Sequence, residues 1–128
     1  MIYLDTSVVL AHLFAEDPSP PDSLWTETLA SSRLLEYETW NRIHAHGLGE
    51  SHGEAVRSVL QQLTFVELLR PILARATEPF PAPIRTLDSL HLASMEFLRT
   101  LGQPVRLASY DKTLLAVADR MGFPLVDL

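Results

Sequence analysis

Short apolar runs alternate along the chain with stretches of helical period. Ile2-Tyr3-Leu4 is a run of strand formers that stops at Asp5-Thr6-Ser7, and Val8, Val9, Ala11, His12 and Phe14 then fall at helical spacing until Glu16-Asp17-Pro18. Strand, turn and helix follow in that order. Pro18, Pro20 and Pro21 dictate an extended connector, and Asp22-Ser23 then caps a second helix carrying Leu24, Trp25 and Leu29, broken at Ser31-Ser32. Leu34-Leu35 predicts a short strand, and the residues from about Glu36 to His46 predict a helix closed by Gly47 and Gly49. A further helix over Ser51 to Leu63 places Ala55, Val56, Val59, Leu60 and Leu63 on one face; Phe65 to Leu69 reads as strand, ended by Pro71.

A short helical piece, Ile72 to Ala76, leads into Glu78-Pro79-Phe80-Pro81-Ala82-Pro83, which has no room for a helix. The strongest helix signal follows over residues 84–101. On a helical wheel Arg85, Ser89, Glu96 and Thr100 form a narrow polar stripe, and Leu87, Leu90, Ala93, Phe97, Leu98 and Leu101 fill most of the rest, which predicts a largely buried helix. Gly102 ends it, Val105 to Ala108 reads as a strand, and Leu114, Leu115, Val117, Ala118 and Met121 mark a last amphipathic helix stopped by Gly122. Pro124-Leu125-Val126 reads as a terminal strand. Apolar strands alternating with helices predict an α/β fold of three layers, α/β/α, in which a parallel sheet of four to five strands is covered on both faces. There is no internal repeat, and 128 residues suffice for one domain, residues 1–128.

Composition removes several chemistries. The chain has no cysteine, which excludes disulfides, thiolate zinc sites, iron–sulfur ligation and a cysteine nucleophile. No apolar stretch approaches the length of a membrane span, and Met1 to Asp5 lacks the basic flank and cleavage site of a signal peptide, so a cytoplasmic protein without a membrane partner is expected. Sixteen acids against ten bases give a net charge of −6, and Lys112 is the only lysine. Nucleic-acid binding by bulk charge alone is disfavoured.

In parallel sheets ligands gather beyond the carboxyl ends of the strands, and two acids are expected there. Asp5 directly follows the first strand, and Asp111 lies just beyond Val105 to Ala108; right-handed crossovers put both on one edge. For Asp111 the simpler reading is a helix N-cap receiving the Thr113 and Leu114 amides. Asp88 stands in the first turn of the most apolar helix, at the margin of its buried face, where a carboxylate needs a cation or donors. Glu36 and Glu38 lie about 160° apart on a helix, so at most one faces a common cleft; spacing alone leaves the choice open.

These segments resemble a known family. Leu4-Asp5-Thr6-Ser7, the run from Ser31 to Glu38, Thr86-Leu87-Asp88-Ser89-Leu90-His91-Leu92-Ala93, and Ser109-Tyr110-Asp111-Lys112 look like the four signature segments of PIN-domain nucleases, most closely the VapC toxins of toxin–antitoxin pairs. The resemblance runs in order from Ile2 to Val126. It points to Glu38 rather than Glu36, a serine standing six residues before the acid, and carries over Asp5, Asp88 and Asp111 as the companion acids.

The resemblance implies a metal-dependent endoribonuclease leaving 5′-phosphate and 3′-hydroxyl ends. Converging carboxylates repel one another and retain protons unless a counter-ion joins them, and Mg²⁺, with Mn²⁺ as the alternative, suits oxygen ligands held partly through water. Asp5 is then the central ligand, Asp88 and Glu38 complete or orient the first site, and Asp111 holds a second ion or its water. Thr6, Ser7 and Ser109 are suited to fixing the carboxylate rotamers, though a local turn or cap bond explains each equally well. The expected partners are RNA, a small antitoxin lying across the cleft, and a second copy of the chain in a homodimer. Arg42, Arg85 and Arg99 are candidates to grip RNA, and two divalent ions would reduce the charge to −2.

Other residues are assigned to structure. His91 reads as a satisfied core histidine; His44, His46 and His52 fit no zinc spacing and read as surface; Phe14, Trp25 and Trp40 read as packing rather than base-stacking platforms. A phospho-acceptor domain wants two adjacent acids after the first strand and a phosphatase wants Asp-x-Asp, whereas Thr6 and Ser7 follow Asp5. An inactive binding module has no need of four acids, and an RNA-processing nuclease without a toxin role remains the nearest alternative.

Overall fold

A computed structural model describes residues 1–128. Four parallel strands, β1 (Ile2–Leu4), β2 (Leu29–Ser32), β3 (Leu63–Val66) and β4 (Arg106–Ala108), form one sheet in the order β3-β2-β1-β4. Six helices surround it: α1 (Thr6–Leu13), α2 (Leu34–Ala45), α3 (Gly49–Gln61), α4 (Arg70–Ala76), α5 (Thr86–Thr100) and α6 (Lys112–Arg120). No helix is long and apolar enough to cross a membrane.

Strand alternation assigns the layers. Ile2 and Leu4 of β1 join Val8, Val9, Leu35, Ile43, Val56 and Val59 in a cluster supplied by α1, α2 and α3. Tyr3, between them, belongs to the opposite cluster with Leu92, Met95 and Leu98 of α5, Leu107 of β4, and Leu114 and Val117 of α6. Successive side chains of a strand point to opposite faces, so three residues serve two cores. Each fully buried leucine or valine among them contributes about 1.5–3 kcal/mol. The three-layer α/β/α architecture is the one the alternating pattern predicts.

Several elements differ from their sequence reading. The helix expected at Asp22–Leu29 is a five-residue 3₁₀ turn, Asp22–Thr26, and Leu29 begins β2 instead. Half of β2 is serine, yet all four residues are buried, because their polar groups are used: Ser31 Oγ donates to the Leu4 carbonyl at 2.7 Å, the Ser32 amide donates to Tyr3 Oη at 3.1 Å, and Ser32 Oγ accepts from the Leu34 amide at 3.1 Å. A search for apolar runs misses such a strand. The strand expected at Leu34-Leu35 is therefore the first turn of α2. The terminal strand reduces to a single bridge between Leu125 and Leu107. Leu87 and Leu101, expected in the core, are exposed at the two ends of the α5 region. Gly47, Gly102 and Gly122, at φ +68°, +84° and +85°, each follow a helix end in the left-handed conformation that lets the chain turn out of it.

The parallel register aligns the carboxyl ends of all four strands. Leu4 pairs with Ala108, and the Asp5 amide donates to the Ala108 carbonyl at 3.0 Å, so Asp5 and Ser109 leave the sheet side by side.

Candidate active site

Above that edge lies a cavity of about 350 Å³ lined by Asp5, Thr6, Ser7, Leu10, Glu38, Asn41, Arg42, Arg85, Leu87, Asp88 and Asp111. All four acids singled out from the sequence line it. A larger hollow, about 520 Å³, lies beside the proline-rich segment 79–83 and has Glu78 as its only acid. Chemistry, not size, decides between the two.

Asp5 occupies the N-cap position of α1 without capping it. Its Oδ2 instead accepts from Ser7 Oγ at 2.6 Å and Ser109 Oγ at 2.9 Å, leaving Oδ1 without a protein donor. Ser109 arrives by the β1–β4 register, and its Oγ also accepts from the Asp111 amide at 2.9 Å, tying Asp5 and Asp111 through one hydroxyl. Ser7 Oγ accepts from the Tyr110 amide at 3.0 Å.

Glu38 stands one turn into α2. Its Oε1 accepts from Thr6 Oγ1 and from His91 Nε2, each at 2.7 Å, and Oε2 is left without a protein donor. Thr6 thus supports Glu38, whereas Ser7 and Ser109 support Asp5. Glu36 is accounted for elsewhere: Arg33 donates to it at 2.7 Å and to Glu67 at 2.8–3.1 Å while lying over the Phe65 ring. The choice that spacing left open is made by Arg33.

Asp88 lies in the first turn of α5 and is nearly buried, at 7% exposure. Burial, together with the nearby Asp111 and Asp5 charges, holds its carboxyl above the ordinary aspartate range; Arg85 acts in the opposite sense. Its Oδ2 is buried without a hydrogen-bond donor, the Arg85 Nε standing 3.5 Å away. Asp111 both caps α6, with Oδ1 accepting from the Thr113 and Leu114 amides at 3.0 and 3.2 Å, and meets Arg85 Nη2 at 3.0 Å through Oδ2. The two sequence readings of Asp111 are therefore compatible. One oxygen serves each.

Arg85 is 80% exposed and is the cation shared by Asp88 and Asp111. Arg42 lines the cavity, but Arg99 does not: it donates to the Met121 carbonyl at 2.8 Å and lies over Phe123. Arg99 is thereby removed from the candidates for gripping RNA, because its aromatic and carbonyl partners hold it at the far end of α5. His44 and His46 are exposed beside Trp40 and Phe14, and those two rings and Trp25 pack against the core.

Sequence reasoning gave three residues no role beside the acids, although His91 is the satisfied core histidine it expected. Asn41 follows Glu38 by three positions on α2, the spacing that shares a helix face. His91 bears the same relation to Asp88 on α5, and Tyr3 Oη stands 2.7 Å from its Nδ1. Helical spacing from each acid was the signal that finds Asn41 and His91; no comparable signal marks Tyr3, whose partner is 88 residues away.

The cavity suits a divalent cation by its donor set. Asp5 and Glu38 each have one oxygen anchored by two protein donors and one left over, and Asp88 Oδ2 is an orphaned buried acceptor. No group of three or more His, Cys, Asp or Glu side chains stands close enough together to hold an ion by itself. An ion held here would have to keep several of its waters.

A family model described as PIN domain matches residues 2–127. A protein named Ribonuclease VapC47, from Mycobacterium tuberculosis (strain CDC 1551 / Oshkosh), is 28% identical over 130 residues, spanning 96% of this chain and 93% of that protein. Among solved structures, a chain of a toxin-antitoxin complex from Klebsiella pneumoniae superposes with a TM-score of 0.59 over 99% of this chain and 97% of that one, at 14% identity. At that identity the likeness speaks for the fold.

Proposed function

This chain belongs to the PIN domain family, and from that premise we propose that it is a metal-dependent endoribonuclease, the toxin of a toxin–antitoxin pair. The observation that carries the metal-dependent reading is the shared cavity of four carboxylates in which Asp5 and Glu38 each keep one unclaimed oxygen and Asp88 has a buried oxygen without a donor. Asp5, Glu38 and Asp88 would hold Mg²⁺ or Mn²⁺, and Asp111 would hold a second ion or a water. When bound, such an ion supplies Lewis acidity at a phosphodiester and lowers the pKa of water to near neutrality.

The chain's own residues supply order and charge. Ser7 and Ser109 fix the Asp5 rotamer, and Thr6 fixes Glu38. Arg42 and Arg85, at the cavity wall, bind backbone phosphates, Arg85 exchanging its carboxylate partners for the nucleic acid. With so few cations, recognition rests on the shape of a folded or single-stranded RNA. The ribonuclease reading is supported by the VapC47 relative, and the toxin role by the resemblance of the four signature segments to VapC toxins. As a toxin the protein would act in the cytoplasm, be silenced by a small antitoxin across the cleft, and form a homodimer for which exposed Leu69, Leu73 and Leu101 offer apolar surface.

The test is cleavage of RNA by the purified chain. Activity is expected with Mg²⁺ or Mn²⁺, to be abolished by chelator, and to fall at least about 100-fold in Asp5→Asn with the circular dichroism spectrum unchanged. A metal-independent activity, or an Asp5→Asn enzyme as fast as the native one, refutes the assignment. Sequencing RNA ends after brief induction identifies the substrate. Growth arrest relieved by the product of the adjacent upstream gene supports the toxin role, and cleavage without arrest supports RNA processing instead.

A further inference from the structure

His91 is 1% exposed and Tyr3 fully buried, yet both lead to the cavity. Four hydrogen bonds connect in series: the Ser32 amide donates to Tyr3 Oη at 3.1 Å, Tyr3 Oη meets His91 Nδ1 at 2.7 Å, and His91 Nε2 meets Glu38 Oε1 at 2.7 Å, the oxygen that Thr6 also reaches. An ionised carboxylate only accepts, so Nε2 must carry the hydrogen. In the neutral ring Nδ1 is then an acceptor, and Tyr3, already accepting from Ser32, supplies the hydrogen it needs. Every donor in the series has one acceptor. The ring is fixed at both nitrogens and cannot turn without leaving a buried polar atom unpaired.

We propose that His91, held in its Nε2–H tautomer by Tyr3, is a positioning residue for Glu38: it claims Oε1 so that Oε2 remains for the cation. The proposal rests on the metal-site reading above, and it concerns the histidine's partner, not coordination by the ring. A purely structural histidine would be indifferent to which atom of its replacement donates. A positioning one requires a donor at the Nε2 location. Losing a hydrogen-bonding support behind a metal-binding side chain typically costs about 10–100-fold in metal affinity or activity.

The experiment compares His91→Leu, His91→Gln and Tyr3→Phe with the native chain, using Mn²⁺ alone as the binding probe and single-turnover RNA cleavage as the second readout. His91→Gln keeps an N–H donor near the Nε2 position. The expected result is that His91→Leu weakens Mn²⁺ binding by about 10–100-fold and slows cleavage with it, that His91→Gln restores most of both, and that Tyr3→Phe falls between. Nitrogen NMR of the native ring is expected to show a protonated Nε2 and an unprotonated, hydrogen-bonded Nδ1. Should His91→Leu not fold, the ring spectrum and the Tyr3→Phe and His91→Gln isotherms decide the matter. Equal Mn²⁺ affinity in the native chain and His91→Leu, equal losses in His91→Leu and His91→Gln, or a hydrogen on Nδ1 alone would overturn the proposal. A native chain that binds Mn²⁺ but leaves RNA intact refutes the nuclease reading alone, since the isotherms still judge His91; one that binds no Mn²⁺ refutes both.

Discussion

At Asp88 two local influences oppose each other. The first turn of a helix favours a negative charge, whereas burial and the neighbouring Asp5 and Asp111 disfavour it, and the carboxyl is held above its ordinary range. A raised carboxyl pKa in the folded state favours the protonated form. The stability it contributes is full below the unfolded-state pKa and is lost as pH rises through the folded-state value. Asp88→Asn is therefore expected to raise the melting temperature of the metal-free protein at neutral pH, and the gain should shrink on acidification toward the carboxylate range. Added Mn²⁺ should stabilise the native protein more than the variant; thermal melts across pH, with chelator and with Mn²⁺, measure both. At this scale the sequence was only partly legible. Burial of Asp88 at a helix margin was readable from the wheel, but the role of Glu36 was not, because periodicity says which residues share a face and nothing of an Arg33 that reaches Glu67 from another element.

Among the elements, α6 depends on Asp111 for its start, and the same side chain adds charge to the cavity. The two contributions separate by substitution. Asp111→Ala removes the acceptor for the Thr113 and Leu114 amides and should cost about 1 kcal/mol of stability. Asp111→Asn keeps a good capping oxygen and should cost little. Both should reduce RNA cleavage, so denaturant titration beside a cleavage assay distinguishes capping from charge; equal stability losses would contradict the assignment of Oδ1 to the cap. Elements with regular apolar spacing, such as α5 and β1, were legible in the sequence. Strand β2 was not, since its serines are buried through hydrogen bonds to Leu4 and Tyr3, partners that exist only after the sheet has formed.

For the molecule as a whole, a net charge of −6 sets how nucleic acid is held. If Arg42 and Arg85 make the phosphate contacts, the logarithm of affinity for single-stranded RNA should fall with the logarithm of salt concentration at a slope of only about −1.5. Fluorescence anisotropy with Asp5→Asn in Mg²⁺ measures it, and a slope several times steeper would reveal a basic track on the surface that these two arginines do not explain. The layered architecture was legible because alternation of strands and helices is a property of order along the chain. Convergence of the acids needed the register as well.

That register bears on when the cavity is completed. Its floor is made by strands far apart in the chain: β1 runs into Asp5, and the Ser109 that follows β4 comes 104 residues later in the order of synthesis. A nascent chain in which β4 has not yet been made has Asp5 without one of its two hydroxyl supports and without Asp111. Order of synthesis thus leaves the cavity incomplete until β4 has paired with β1, however early Asp5, Glu38 and Asp88 are made.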